Sequence, residues 1–160
     1  MELRKLAPSY YLDNPVVQQA LDFDMASNSW NMLKVRGHGI VEITFNNLIF
    51  AIPVRSHIRH RASFILEVNR ENRHIKGMGL DYSKALLIKH RHHILDEVFL
   101  LTSKQAGRKL VNKDLHIAKQ FNAYVAKYIS SRRRQDTHVL NSFEYRYTTL
   151  VNYHVELGID

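Results

Sequence analysis

Between positions 55 and 60 the chain reads Arg55-Ser56-His57-Ile58-Arg59-His60, and Arg61 follows. Two guanidiniums, two imidazoles and a hydroxyl fall within six residues. Guanidiniums bind and neutralise phosphate, and imidazoles carry protons near neutral pH. RNA brings its own nucleophile, the 2′-hydroxyl. Its cleavage needs only a proton acceptor, a proton donor and cations facing the pentavalent phosphorus. Arg55, Arg59, His57 and His60 can fill these roles without a metal. A solvated basic loop after a strand would have the same composition. Ser56 lacks a G-x-S-x-G setting, which argues against an acyl-transfer serine.

Other clusters carry less. His90-Arg91-His92-His93 resembles a metal tract, but adjacent histidines diverge and no acid stands at ligand spacing nearby, so it reads as a solvated or RNA-facing basic run. Arg132-Arg133-Arg134 ends a helical pattern, where positive charge meets the helix dipole. That run is either a solubilising helix end or an RNA backbone contact. Tyr124, Tyr128, Tyr145 and Tyr147 read as core and boundary residues before base-stacking platforms. Gly77-Met78-Gly79 lacks the lysine and pattern of a P-loop.

Composition narrows the partner. The 160 residues fit one domain, 1–160, with a real core, and 45% are hydrophobic. Lys and Arg number 23 against 15 acids, a net charge of +8. Such an excess favours a polyanion, most often nucleic acid. The absence of cysteine excludes disulfides, thiolate metal sites and Cys nucleophiles, and agrees with a reducing cytoplasm. The first residues lack an apolar signal core and no 18-residue apolar run occurs, so neither secretion nor membrane spanning is expected.

The elements that must position the cluster follow from periodicity. Residues 38–45 and 48–54 read as strands joined by Asn46-Asn47, which tolerates the positive φ of a tight hairpin. Residues 62–68 and 85–89 give two further strands, with 69–79 as a loop or hairpin connection. Tyr10-Tyr11-Leu12 reads as a short strand and 16–24 as a weak helix. Leu115, Ala118, Phe121, Val125 and Tyr128 keep helical spacing over 113–129, with Asn112 as N-cap. A last helix is expected after Asn141, with Glu144 completing a capping box, Phe143, Tyr147, Leu150, Val151, His154 and Leu157 on its apolar face, and Gly158 at its end. Strands first and helices second predict an α+β fold, a twisted antiparallel sheet with flanking helices.

In order and spacing, GHGIVEI, FAIPVRSHIRHRASF and GMGLDYSKALLI, with the ending YTTLVNYHVELGI, resemble the ToxN/AbiQ-like endoribonuclease toxins of type III toxin–antitoxin systems, and within them the TenpN branch. The likeness covers roughly residues 36–90 and the last fifteen or so. It implies a Kid/MazF-related fold and metal-independent, sequence-preferring RNA cleavage to 2′,3′-cyclic phosphates, with no cofactor. It also implies an antitoxin RNA of tandem repeats whose pseudoknot units fill the active groove in a closed protein–RNA assembly, in phage defence. The family serine falls on Ser56. The preceding threonine is Arg55 here, and a lysine two residues on is replaced by Ile58, so its cation must come from Arg59 or His57. A family lysine before the first strand falls near Lys34 or Arg36, and Lys84 corresponds to a lysine of the equivalent strand. The expected catalytic set is therefore Ser56, Arg55, His60, Arg59, His57 and Lys34. The expected RNA contacts are Arg36, His38, Arg61, Lys84, Arg132, Arg133 and Arg134. A non-catalytic RNA-binding module using the same groove is the alternative. A DNA-binding regulator lacks a helix-turn-helix, though the 113–129 helix keeps that reading open.

Overall fold

The computed structural model describes residues 1–20, 23–24, 29–30 and 39–160. The expected positions Lys34, Arg36 and His38 lie outside the described residues. In chain order the elements are β1 (Arg4–Leu6), α1 (Ser9–Asp13), β2 (Phe23–Asp24), β3 (Ser29–Trp30), β4 (Ile40–Phe45), β5 (Leu48–Ile58), β6 (Ser63–Val68), β7 (Gly77–Asp81), β8 (Leu86–Ile88), β9 (Ile94–Val98), α2 (Lys104–Arg108), α3 (Asp114–Arg133) and α4 (Thr137–Leu140). The fold is α+β. Among the described residues, seven strands form one antiparallel sheet in the order β6-β7-β5-β4-β1-β9, with β8 also paired to β5.

The β4–β5 hairpin forms as the asparagines predict. Asn46 and Asn47 take φ of 45° and 66°, and Phe45 pairs with Leu48 across the turn. Alternation sends Phe50 and Ile52 of β5 to the main core and Ala51 to a smaller core under α1, built with Tyr10, Tyr11 and Ile88. α3 covers the main core. Phe121 is fully buried, and its ring meets Phe50 edge-on at 5.4 Å. Burying such a side chain contributes about 2 kcal/mol.

Several expectations are corrected. Tyr10-Tyr11-Leu12 lies in the helix α1 rather than a strand; both tyrosines are buried on one side while Leu12 is exposed. The described part of 16–24 is not helical; it holds a turn at 18–20 and the short strand β2. The buried stripe of α3 is Ile117, Phe121, Tyr124, Val125, Tyr128 and Ser131, which leaves Leu115 exposed. Lys113, not Asn112, is its N-cap. The segment after Asn141 is not an α-helix but a chain of turns with a 3-10 stretch at Thr149–Asn152, and Phe143 and Tyr147 are exposed. Gly158 still terminates a final turn. At φ 66° it donates to the Val155 carbonyl, while Ile159 N–H reaches His154 O, the paired bonds of a Schellman motif. Residues 77–79, expected in a connection, belong to the strand β7, which lies between β5 and β6.

Candidate active site at the end of strand β5

The candidate site is built where β5, β6 and β7 run side by side. Arg55 stands opposite Gly79, and Asp81 lies two residues further along β7 on the same face. Ser63 of β6 pairs with Asp81 on its other side. The short turn from Arg59 to Ala62 therefore hangs over that carboxylate. The Ser63 hydroxyl donates to the His60 carbonyl at 3.2 Å and fixes the turn.

Asp81 is completely buried and is the hub of the cluster. Its Oδ1 accepts from the Ser83 backbone N–H at 3.0 Å and from the Ser83 hydroxyl at 2.6 Å. His60 Nε2 lies 3.2 Å from the same oxygen. Oδ2 accepts from Arg55 Nη1 at 2.7 Å. Burial by itself would raise the carboxyl pKa. The hydrogen bond and charge of His60, the charge of Arg55 and the Ser83 hydrogen bond outweigh it and hold the pKa at about 2. Asp81 is thus an internal anion at neutral pH, and it aims an imidazole and a guanidinium toward the rim. The side chains of Arg55 and His60 remain 23% and 12% exposed.

This is not a Ser-His-Asp relay. His60 meets both Ser83 and Asp81 through the same nitrogen, with Ser83 Oγ 3.3 Å from Nε2. In a relay the histidine stands between its partners and uses both nitrogens. His60 Nδ1 is enclosed and has no hydrogen-bond partner among the described residues. Arg55 is not the free cation expected of it, because Nη1 is committed to Asp81.

Beyond Arg55 the strand bulges. Arg55 pairs with Gly79 and Ile58 with Gly77, so Ser56 and His57 face the single residue Met78. His57 takes φ 60°, in the left-handed region. Such bulges re-aim side chains at sheet ends. Here Ser56 and His57 are exposed, Ile58 is buried as an anchor and Arg59 is exposed again. Among the described residues, no hydrogen bond or ion pair engages the side chains of Ser56, His57, Arg59 or Arg61. Among the described residues, the exposed Arg59 and Arg61 therefore carry charge that no ion pair neutralises. Arg61 and Lys127 flank an open groove of about 320 Å³ that also exposes parts of Tyr82, Gln120 and Glu144.

The other expected positions lie apart. Lys84, expected as a phosphate contact, is turned inward. It is buried, and its ammonium donates to the carbonyls of Gln19 at 2.9 Å and Tyr147 at 2.8 Å, tying distant segments to the sheet. Arg132 and Arg133 end α3, and Arg134 caps it. All three are exposed, and Arg133 also reaches the Gly158 carbonyl at 3.2 Å. Tyr124, Tyr128 and Tyr145 are core residues, with Tyr124 stacked on Tyr145 at 4.6 Å. Asp81 and Ser83 were missed as site residues. The available signal was a lone acid between a glycine-rich strand and a serine two residues on, in GLDYS. No protein-family model, curated protein or solved structure matches the chain, and the reading of the site rests on its own chemistry.

Proposed function

We propose that this protein is a metal-independent endoribonuclease acting at the end of β5, as a toxin restrained by a structured RNA antitoxin. The observation that carries the reading is the buried, ionised Asp81. It orients His60 and Arg55 at the edge of a surface whose cations Arg59 and Arg61 have no ion pair among the described residues. In the proposed reaction the 2′-hydroxyl loses its proton to a base at this rim and its oxygen attacks the adjacent phosphorus. The 5′-oxygen leaves and takes a proton. The products are a 2′,3′-cyclic phosphate and a 5′-hydroxyl. His60, held by Asp81, is the first candidate for one proton transfer and His57 for the other. Arg59, Arg61 and the Ser56 hydroxyl face the phosphate oxygens. The net charge of +8 supports a polyanionic substrate and an RNA partner.

A second reading, RNA binding without cleavage, is favoured by one feature: His60 Nδ1 is enclosed and Arg55 is already paired. The two readings separate when RNA is incubated with the protein in excess EDTA and its fragments are analysed. Cleavage to cyclic-phosphate ends is expected, with Ser56→Ala inactive yet folded and His60→Ala slowed roughly 100-fold or more, the range for a lost acid or base. Intact RNA with retained binding selects the second reading. Loss of cleavage in EDTA, restored by magnesium, overturns the metal-free mechanism.

A further inference from the structure

A second cluster of titratable groups lies apart from the candidate active site and shares no residue with it. β1 and β9 pair with Leu6 opposite Ile94, so the helix that follows β1 packs beside the turn that precedes β9. The Ala7 N–H donates to the His93 carbonyl at 2.7 Å and locks that junction. The result brings Asp13, the last residue of α1, onto the histidine run from 80 residues away. Asp13 Oδ2 is 2.7 Å from His93 Nε2 and 3.6 Å from His92 Nε2. One ligand atom from each of the three residues lies within 4.8 Å of the others. His93 is 1% exposed, and its Nδ1 is buried without a hydrogen-bond partner among the described residues. His92 and Asp13 are open to solvent, so an ion could enter from outside.

We infer that Asp13, His92 and His93 form a binding site for a borderline transition-metal ion, zinc by preference, clipping α1 to the β8–β9 connection. Two imidazole nitrogens and one carboxylate oxygen are a donor set that suits zinc, and water can complete a tetrahedron. Hard cations such as magnesium and calcium prefer all-oxygen sites and do not match it. Four-coordinate zinc places its ligand atoms roughly 3.3 Å apart, given bonds of about 2 Å. The observed separations, 2.7 and 3.6 Å to Asp13 and within 4.8 Å overall, need ångström-scale adjustment at the exposed His92 and Asp13. Local charge does not oppose the ion, because Arg91, the cation within the run, is paired with Glu42. Around the site, His90 stacks on His92 at 5.5 Å and Tyr10 packs edge-on against His93 at 5.4 Å, which restrains both imidazoles. Binding at Nε2 replaces the His93–Asp13 hydrogen bond by the ion and leaves the imidazole proton on Nδ1.

The test uses the full chain, stripped with chelator and then titrated with zinc against a chromophoric competitor. Cobalt(II) provides a parallel optical readout. Expected are saturation at one ion per chain, visible bands typical of four-coordinate cobalt and a higher Tm with zinc. His92→Ala and Asp13→Asn, both at exposed positions, should each weaken zinc at least about tenfold and abolish the Tm shift. His74→Ala and His138→Ala, at other exposed histidines, should leave both unchanged. If His92→Ala and Asp13→Asn bind zinc as the wild type does, or magnesium produces the same Tm shift, the site is refuted. RNA cleavage is not a readout here, so this inference and the proposed function fail separately.

Discussion

Replacing Asp81 by Asn tests whether the carboxylate organises the candidate site. The carboxylate accepts from the Ser83 N–H, the Ser83 hydroxyl and His60 on one oxygen and from Arg55 on the other. An amide has one acceptor oxygen, so its NH₂ must face a donor, either Arg55 or the Ser83–His60 side. Lowering the carboxyl from 3.8 to about 2 on folding corresponds to about 2 kcal/mol. Breaking a buried ion pair commonly costs about 3–5 kcal/mol. Arg55 keeps 23% exposure and can recruit water, which reduces that figure. Asp81→Asn should therefore destabilise the protein by about 3 kcal/mol at neutral pH, read by urea unfolding followed by circular dichroism. Because the folded pKa is the lower one, the stabilisation is present above the unfolded value and fades as pH falls through the folded value. The gap between wild type and variant should hold from about pH 7 to 5 and narrow between about pH 4 and 2. Combining Asp81→Asn with Arg55→Met should cost less than the sum of the two by about 1 kcal/mol or more. A loss below about 1 kcal/mol at pH 7, or a gap that does not narrow in acid, would refute the view of Asp81 as an ionised hub.

Two further outcomes follow from the cations. Arg132, Arg133 and Arg134 changed together to Ser should weaken all RNAs by a similar factor and flatten the salt dependence of binding, with cleavage of a short RNA nearly unaffected; an unchanged salt slope assigns the run to a solvated helix end. Lys84→Met should destabilise by about 2–4 kcal/mol in urea unfolding, because two carbonyls lose their donor, while the salt slope stays that of the wild type; a lower slope with unchanged stability would restore Lys84 as a phosphate contact.

What the sequence determined by itself is local. The Asn46-Asn47 hairpin, the long helix over Phe121 and Val125 and the glycine stop at Gly158 depend on φ preferences and on a repeat of hydrophobic positions, both carried by neighbouring residues. Tyr10-Tyr11-Leu12 escaped because three residues cannot separate a helical from a strand period. β7 escaped because its glycines imitate a loop; a Cβ at Gly79 would stand 2.1 Å from the Phe64 carbonyl, so close strand packing, not a turn, excludes a side chain there. The Arg55–His60 cluster was legible as chemistry because its members adjoin in the chain. Its organising anion was not, since Asp81 reaches Arg55 only through β5–β7 pairing across 26 positions. The same holds for Lys84, whose carbonyl partners lie more than 60 residues away in either direction, and for Asp13, which gives the histidine run the acid it lacks nearby. Strand pairing and burial set these contacts, and they depend on which distant backbones meet, information that no local spacing of residue types contains.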